Sequence, residues 1–136
     1  MRRLPREETL NRIDRDFVRG TRLRSGTVSE VVFDFLRRQG MTRIFGNPGS
    51  TEIPMFANLP EDFSYVLGLQ EASVVFMADG CAQITGQAQF INLHSAAGLG
   101  HAMGAIYTAY RDRAPLLIVT GQQSRSLLPY DPFLFN

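Results

Sequence analysis

Three short stretches of this chain hold side chains whose types and positions could do chemistry. The first centres on Glu71, which follows an apolar run, Tyr65–Leu69, and opens a stretch of helical periodicity. An acid in the first turn of a helix has an ordinary role, because it complements the positive end of the helix dipole. The same acid between apolar segments would lose solvation, and its pKa would rise from about 4.3. A carboxyl group of that kind could exchange a proton with a ligand nitrogen near neutral pH. The second is His94, in the run NLHSAAG at Asn92–Gly98. It stands at the end of an apolar run, and the small residues after it would let a ligand approach the backbone. An isolated histidine is often structural, so its place at a strand end carries the catalytic reading. The third is GNPGS, Gly46–Ser50. Ser50 there is either a helix N-cap or a hydroxyl open to a ligand.

Other motifs lead to less. GLGHAMG, Gly98–Gly104, follows an apolar run and has the spacing G-x-G-x-x-x-G, a loose form of the dinucleotide fingerprint. The acid that would bind a ribose near the end of the next strand is absent, since that strand runs into Thr120-Gly121-Gln122. A tight turn and close helix packing explain these glycines better. His101 lies within a helical stretch and reads as packed or partly exposed. Cys81 reads as a small hydrophobe inside a helix. No Ser-His-Asp order, Walker motif or metal-ligand cluster is visible.

The elements that must position these residues follow from periodicity. Thr27 and Glu30 form a T-x-x-E capping box. Val28, Val31, Val32, Phe35 and Leu36 then fall on one helical face, and Gly40 is placed to end that helix. A strand is expected at Thr42–Phe45, a short helix within Thr51–Leu59 and a strand at Tyr65–Leu69. A helix is expected at Glu71–Thr85, a strand at Gln89–Leu93, a tight loop at His94–Gly98 and a helix at Leu99–Tyr110. A last strand is expected at Leu116–Thr120. The strands are continuous apolar runs, the pattern of strands covered on both faces. Strand–helix alternation with short loops implies an α/β fold, a doubly wound and mainly parallel sheet with flanking helices. Ligands bind such sheets beyond the carboxyl ends of the strands. Those ends are Gly46–Ser50, Gln70–Glu71 and His94–Gly100, where the polar candidates gather.

Composition bounds the rest. The chain has 136 residues, 44% hydrophobic and 20% charged, which suits one domain. Formal net charge is only +1, so whole-chain charge does not point to nucleic acid. Residues 1–24 hold eight Arg against four acids, whereas residues 25–136 hold six against nine. The basic charge therefore belongs to a leader, expected to be solvated and poorly ordered. That leader has no apolar run long enough for a signal peptide or a membrane span. The single cysteine fits a reducing compartment, and a cytoplasmic location is expected. The tail after Gly121 shows no clear element and reads as an interrupted domain.

Three segments together carry a resemblance: IFGNPGSTEIPMF, LQEASVVFMADGCAQITG and FINLHSAAGLGHAMGAIYTAYRDRAPLLIVTGQQ. In this order and spacing they resemble the N-terminal, pyrimidine-binding domain of thiamine-diphosphate-dependent decarboxylases and carboligases, most closely the benzoylformate decarboxylase branch. The match runs from about Ser25 to Gln123. It implies the truncated thiamine-diphosphate-binding fold over residues 25–136, C-terminally incomplete.

The resemblance also implies roles. Glu71 matches the glutamate that binds N1′ of the cofactor's aminopyrimidine, and its proton exchange favours the imino tautomer that removes the thiazolium C2 proton. Ser50 matches a serine that contacts the substrate carboxylate. His94 matches a histidine that relays protons to the reacting substrate. Asn47 and Gly49 would shape the cofactor-binding loop. The cofactor would be thiamine diphosphate, with Mg²⁺ held only through a C-terminal domain whose GDG-type motif this chain lacks. The substrate would be a 2-oxo acid. The partner would be a second copy or a chain carrying a diphosphate-binding domain, with no nucleic acid and no membrane involved. On this reading the chain is inactive alone. A non-catalytic relic or interaction module of the same superfamily is the alternative.

Overall fold

The computed structural model describes residues 26–132. The leader at 1–24 lies outside the described residues. The first helix, α1, runs Val28–Arg38. Thr27 caps it as expected: the Glu30 N–H donates to Thr27 Oγ1, and the Thr27 N–H donates to Glu30 Oε2 at 2.7 Å. It ends at Gln39, and Gly40 follows at φ +73° in the left-handed region that glycine tolerates.

Four strands form one parallel sheet in the order β2-β1-β3-β4. They are β1 (Arg43–Asn47), β2 (Ser64–Leu67), β3 (Gln89–Leu93) and β4 (Leu116–Thr120). Between them lie α2 (Ile53–Phe56), α3 (Glu71–Thr85) and α4 (Ser95–Asp112). The α/β, doubly wound fold is as expected. On one face, Phe33 and Leu36 of α1 pack with Ile44 and Phe90, and Phe56 of α2 joins them. On the other face, Phe45, Ile91 and Leu93 meet Val74, Val75 and Ala78 of α3 and Ala102, Ala105 and Ala109 of α4. Alternate residues of β1 and β3 thus serve opposite cores, which is the period-2 rule of a strand covered twice. Only β3 is buried along its whole length. The edge strands β2 and β4 are half-buried, so full cover belongs to the central pair and not to every strand.

Several boundaries differ from the sequence reading. β2 starts at Ser64 and stops at Leu67, two residues short of Leu69, and α4 runs on to Asp112. β1 runs on through Gly46 and Asn47, because the Gly68 N–H donates to the Gly46 carbonyl and prolongs the ladder beside β2. α2 is a single turn, shorter than Thr51–Leu59 allowed. His94–Gly98 is not a loop. His94 is the N-cap of α4, which starts at Ser95, and the Gly98 N–H already donates to the His94 carbonyl at 2.8 Å. Ala96 and Ala97 are strong helix formers, and Gly98 serves packing there and not a turn. After Gly121 the described tail holds one 3₁₀ turn, Leu128–Tyr130.

From the central β1 the chain crosses to β2 on one side and then to β3 on the other. The carboxyl ends of β1 and β3 therefore flank the topological switch point, where such sheets bind ligands.

Candidate functional site

Glu71 is the first residue of α3 and is buried, its side chain 12% exposed. The capping of α3 falls to its neighbour: Gln70 Oε1 accepts from the Ser73 N–H at 2.9 Å. The Glu71 carboxylate is thereby left to face the end of β1. Asn47 donates from Nδ2 to Glu71 Oε1 at 3.1 Å. The other oxygen lies 3.4 Å from Nδ1 of His101, a side chain 71% exposed. A methyl group at Gly98 would sit 3.3 Å from Glu71 Cγ, so the absence of a side chain lets α4 close over the carboxylate. The carboxylate is thus held on one oxygen and approachable on the other.

A second carboxylate organises the neighbouring loop. Glu52 is 3% exposed, yet one oxygen accepts from Thr51 Oγ1 at 2.6 Å, from the Gly121 N–H at 2.8 Å and from the Ser95 N–H at 3.3 Å. The other accepts from the Gly49 N–H at 2.9 Å and lies 2.7 Å from His94 Nδ1. Burial pushes its pKa up, but the bonds from Thr51, His94 and Gly49 outweigh burial and hold it below the usual carboxylate range. His94 keeps 25% of its side chain exposed. Gly49 lies against the imidazole, where any side chain would overlap the ring. Ser95 adopts φ +50°, and its Oγ is buried without a hydrogen-bond partner among the described residues. A non-glycine residue in that backbone region stores strain, a frequent mark of functional sites.

Behind this loop, Tyr65 covers Gly46, and its hydroxyl lies 3.5 Å from Asn92 Oδ1. Burial, with the Glu52 charge adding to it, pushes the Tyr65 phenol well up, so it stays a neutral wall.

The structure thus forms two adjoining groups from the candidates: Asn47 with Glu71, and Gly49 with His94. Ser50 is exposed on the same turn as Gly49 and makes no side-chain hydrogen bond among the described residues. It does not cap α2, whose N-cap is Glu52, so its hydroxyl is open. Cys81 lies inside α3, half-buried against the core of that face, with the Arg43 guanidinium 3.4 Å from its sulfur. The dinucleotide-like glycines form no turn; Gly100 and Gly104 lie in α4 with open space where a methyl group would stand. Among the described residues no group of three or more His, Cys, Asp or Glu could hold a metal ion. No helix there is long and apolar enough to cross a membrane.

Glu52 escaped the sequence reading, and so did the contact of His101, expected only as packed or partly exposed, with Glu71. Glu52 stands three residues after Gly49 and folds back onto its N–H, the same back-reach that a capping-box acid makes. That spacing was visible in GNPGSTE. His101 follows Gly98 by three residues, so the two share a helix face; only the crossing of α4 over α3 brings that face to Glu71.

Residues 26–133 match the family model described as "Thiamine pyrophosphate enzyme, N-terminal TPP binding domain". Benzoylformate decarboxylase of Pseudomonas aeruginosa is 49% identical over 110 residues, 81% of this chain and 21% of that protein. The Escherichia coli acetolactate synthase isozyme 3 large subunit is 36% identical over 107 residues, 77% of this chain and 19% of that one. The solved thiamine diphosphate-dependent 4-hydroxybenzoylformate decarboxylase of Rhodococcus jostii RHA1 superposes with a TM-score of 0.79 at 48% identity, covering 82% of this chain and 21% of that one. The chain spans about a fifth of the length of the curated relatives it matches.

Proposed function

The chain belongs to the family of thiamine pyrophosphate enzyme N-terminal TPP-binding domains, and on that premise we propose that it contributes the aminopyrimidine-binding half of a 2-oxo-acid decarboxylase of the benzoylformate decarboxylase type. The pairing of buried Glu71 with Asn47 at the carboxyl edge of the sheet carries this reading. The donor set fits the cofactor. One Glu71 oxygen is held at 3.1 Å by Asn47. The other keeps lone pairs for a protonated ring nitrogen, or accepts the proton itself.

When bound, thiamine diphosphate supplies the carbon nucleophile that attacks a 2-oxo acid. This chain's residues would do the rest. Glu71 would hold and move a proton at N1′, while Asn47 keeps its carboxylate aimed. Gly98 would keep the wall beside it thin. His94 would pass protons to and from the substrate, and the open hydroxyl of Ser50 would bind the substrate carboxylate. The diphosphate and its Mg²⁺ would be held by a diphosphate-binding domain on a partner. Met103 and Tyr107, exposed on the outer face of α4, offer an apolar surface to such a body.

The test combines the chain with the diphosphate-binding domain of a matched relative, Mg²⁺ and thiamine diphosphate. C2 proton exchange should accelerate, and Glu71→Gln should abolish the acceleration, because an amide cannot take up the N1′ proton. Equal exchange in the variant would sink the role assigned to Glu71.

A further inference from the structure

His94 can transfer a proton in a defined direction only if one of its nitrogens is committed. Glu52 makes that commitment. The carboxylate is held below the usual pKa range and so is ionised at neutral pH. An ionised carboxylate only accepts, so the 2.7 Å contact requires the proton on His94 Nδ1. Nε2 has no hydrogen-bond partner among the described residues and is not among the buried unpartnered atoms, so it is open to solvent. We infer that Glu52 is a positioning residue, whose carboxylate holds His94 as the Nδ1–H tautomer with Nε2 bare and facing ligand.

The rest of the geometry separates this role from direct ligand binding. A carboxylate has about four lone-pair sites. Glu52 already faces donors from Thr51, Gly49, Ser95, Gly121 and His94, so none is left for a substrate. Three of those donors are backbone N–H groups at the ends of β1, β3 and β4. The tautomer is therefore tied to the sheet itself, with no reliance on a mobile side chain. Gly49 and Gly121 complete the arrangement, because a side chain at either would overlap the His94 ring or the Glu52 carboxylate.

A proton-transfer role for the bare Nε2 rests on the function proposed above, whereas the tautomer does not. Histidine nitrogen NMR of the ¹⁵N-labelled chain, without cofactor, reads it directly. In the wild type His94 should carry its proton on Nδ1. In Glu52→Gln the amide oxygen should turn to the side of Thr51, Ser95 and Gly121, leaving its NH₂ toward His94. Nδ1 then becomes the acceptor, and the proton should move to Nε2, making the Nδ1–H form the minor species. Glu52→Asp keeps a carboxylate and should keep more Nδ1–H than the Gln variant. A wild-type spectrum with the proton on Nε2 overturns the inference, whether or not either variant folds. So does a folded Gln variant with an unchanged tautomer. Failure of the C2-exchange test with the expected tautomer in hand would instead count only against the proposed function.

Discussion

Gly49 shows how closely single atoms are set in this site. A methyl group there would overlap the His94 imidazole at the Nδ1 edge, where Glu52 also holds the ring. Gly49→Ala should therefore push the ring off the carboxylate and cost about 1–3 kcal/mol, the range for overpacking a filled position. Thermal or denaturant unfolding measures the cost; an unchanged stability would mean that the loop gives way easily. At this scale the sequence was partly legible. Glu71, His94, Asn47, Gly49 and Ser50 were all singled out; the structure pairs Asn47 with Glu71 and Gly49 with His94, and leaves the Ser50 hydroxyl outside both pairs. Glu52 was not, because its importance lies in five donors drawn from residues 49, 51, 94, 95 and 121. No local pattern announces a hub whose partners lie up to 69 positions away in the chain.

Helix α4 poses a different problem at the scale of elements. Its inner face carries Ala102, Ala105 and Ala109, small enough to pack tightly on α3 and the sheet. Its outer face carries Met103 at 52% exposure and Tyr107 at 63%, and Gly100 and Gly104 on the same helix have open space around them. On the neighbouring helix Phe76 is 50% exposed. Exposed apolar side chains on two packed helices make this side a candidate interaction surface. The chain should therefore self-associate at high concentration, with light scattering giving a mass above the 15.2 kDa of one copy. Replacing Met103 and Tyr107 together by Glu should restore the monomer without loss of helicity. A wild-type monomer at high concentration would count against the prediction. The start of this helix was misread because glycine was weighed as a breaker. Gly98 is instead a packing residue inside the helix, and its neighbour Glu71 is the reason for its size.

For the molecule as a whole, Glu52 links acid stability to the sheet. Its carboxyl group is held below the usual range in the folded chain. A lowered folded pKa contributes stability that is complete above the unfolded value and is lost as pH falls through the folded value. Denaturant midpoints should thus hold from neutral pH down to the ordinary carboxylate range and fall steeply below it. Glu52→Gln should be less stable at pH 7, since it leaves a partly buried Gly49 N–H facing an N–H, at a cost of about 1 kcal/mol. It should also show a shallower acid slope. Glu30 and Asp62 are lowered as well, by hydrogen bonds from Thr27 and from Arg37, and salt screens the exposed Asp62–Arg37 pair. Added salt should leave the Glu52 part of the slope in place; a slope equal in variant and wild type would rule the linkage out.

What the sequence by itself determined was the alternation of strands and helices, the capping of α1, and the placement of Glu71 and His94 at strand ends. These depend on neighbours a few residues apart: hydrophobic period, caps and breakers. Its three motifs also sufficed to indicate the family. Tertiary structure alone decided which groups meet. It set Asn47 against Glu71 because β1 runs two residues beyond Phe45, as the ladder with its neighbours continues. It brought His101 to Glu71 because α4 lies on α3, and it closed Glu52 around the ends of three strands. Those contacts depend on the order of strands in the sheet, a long-range property that no local run of residues encodes.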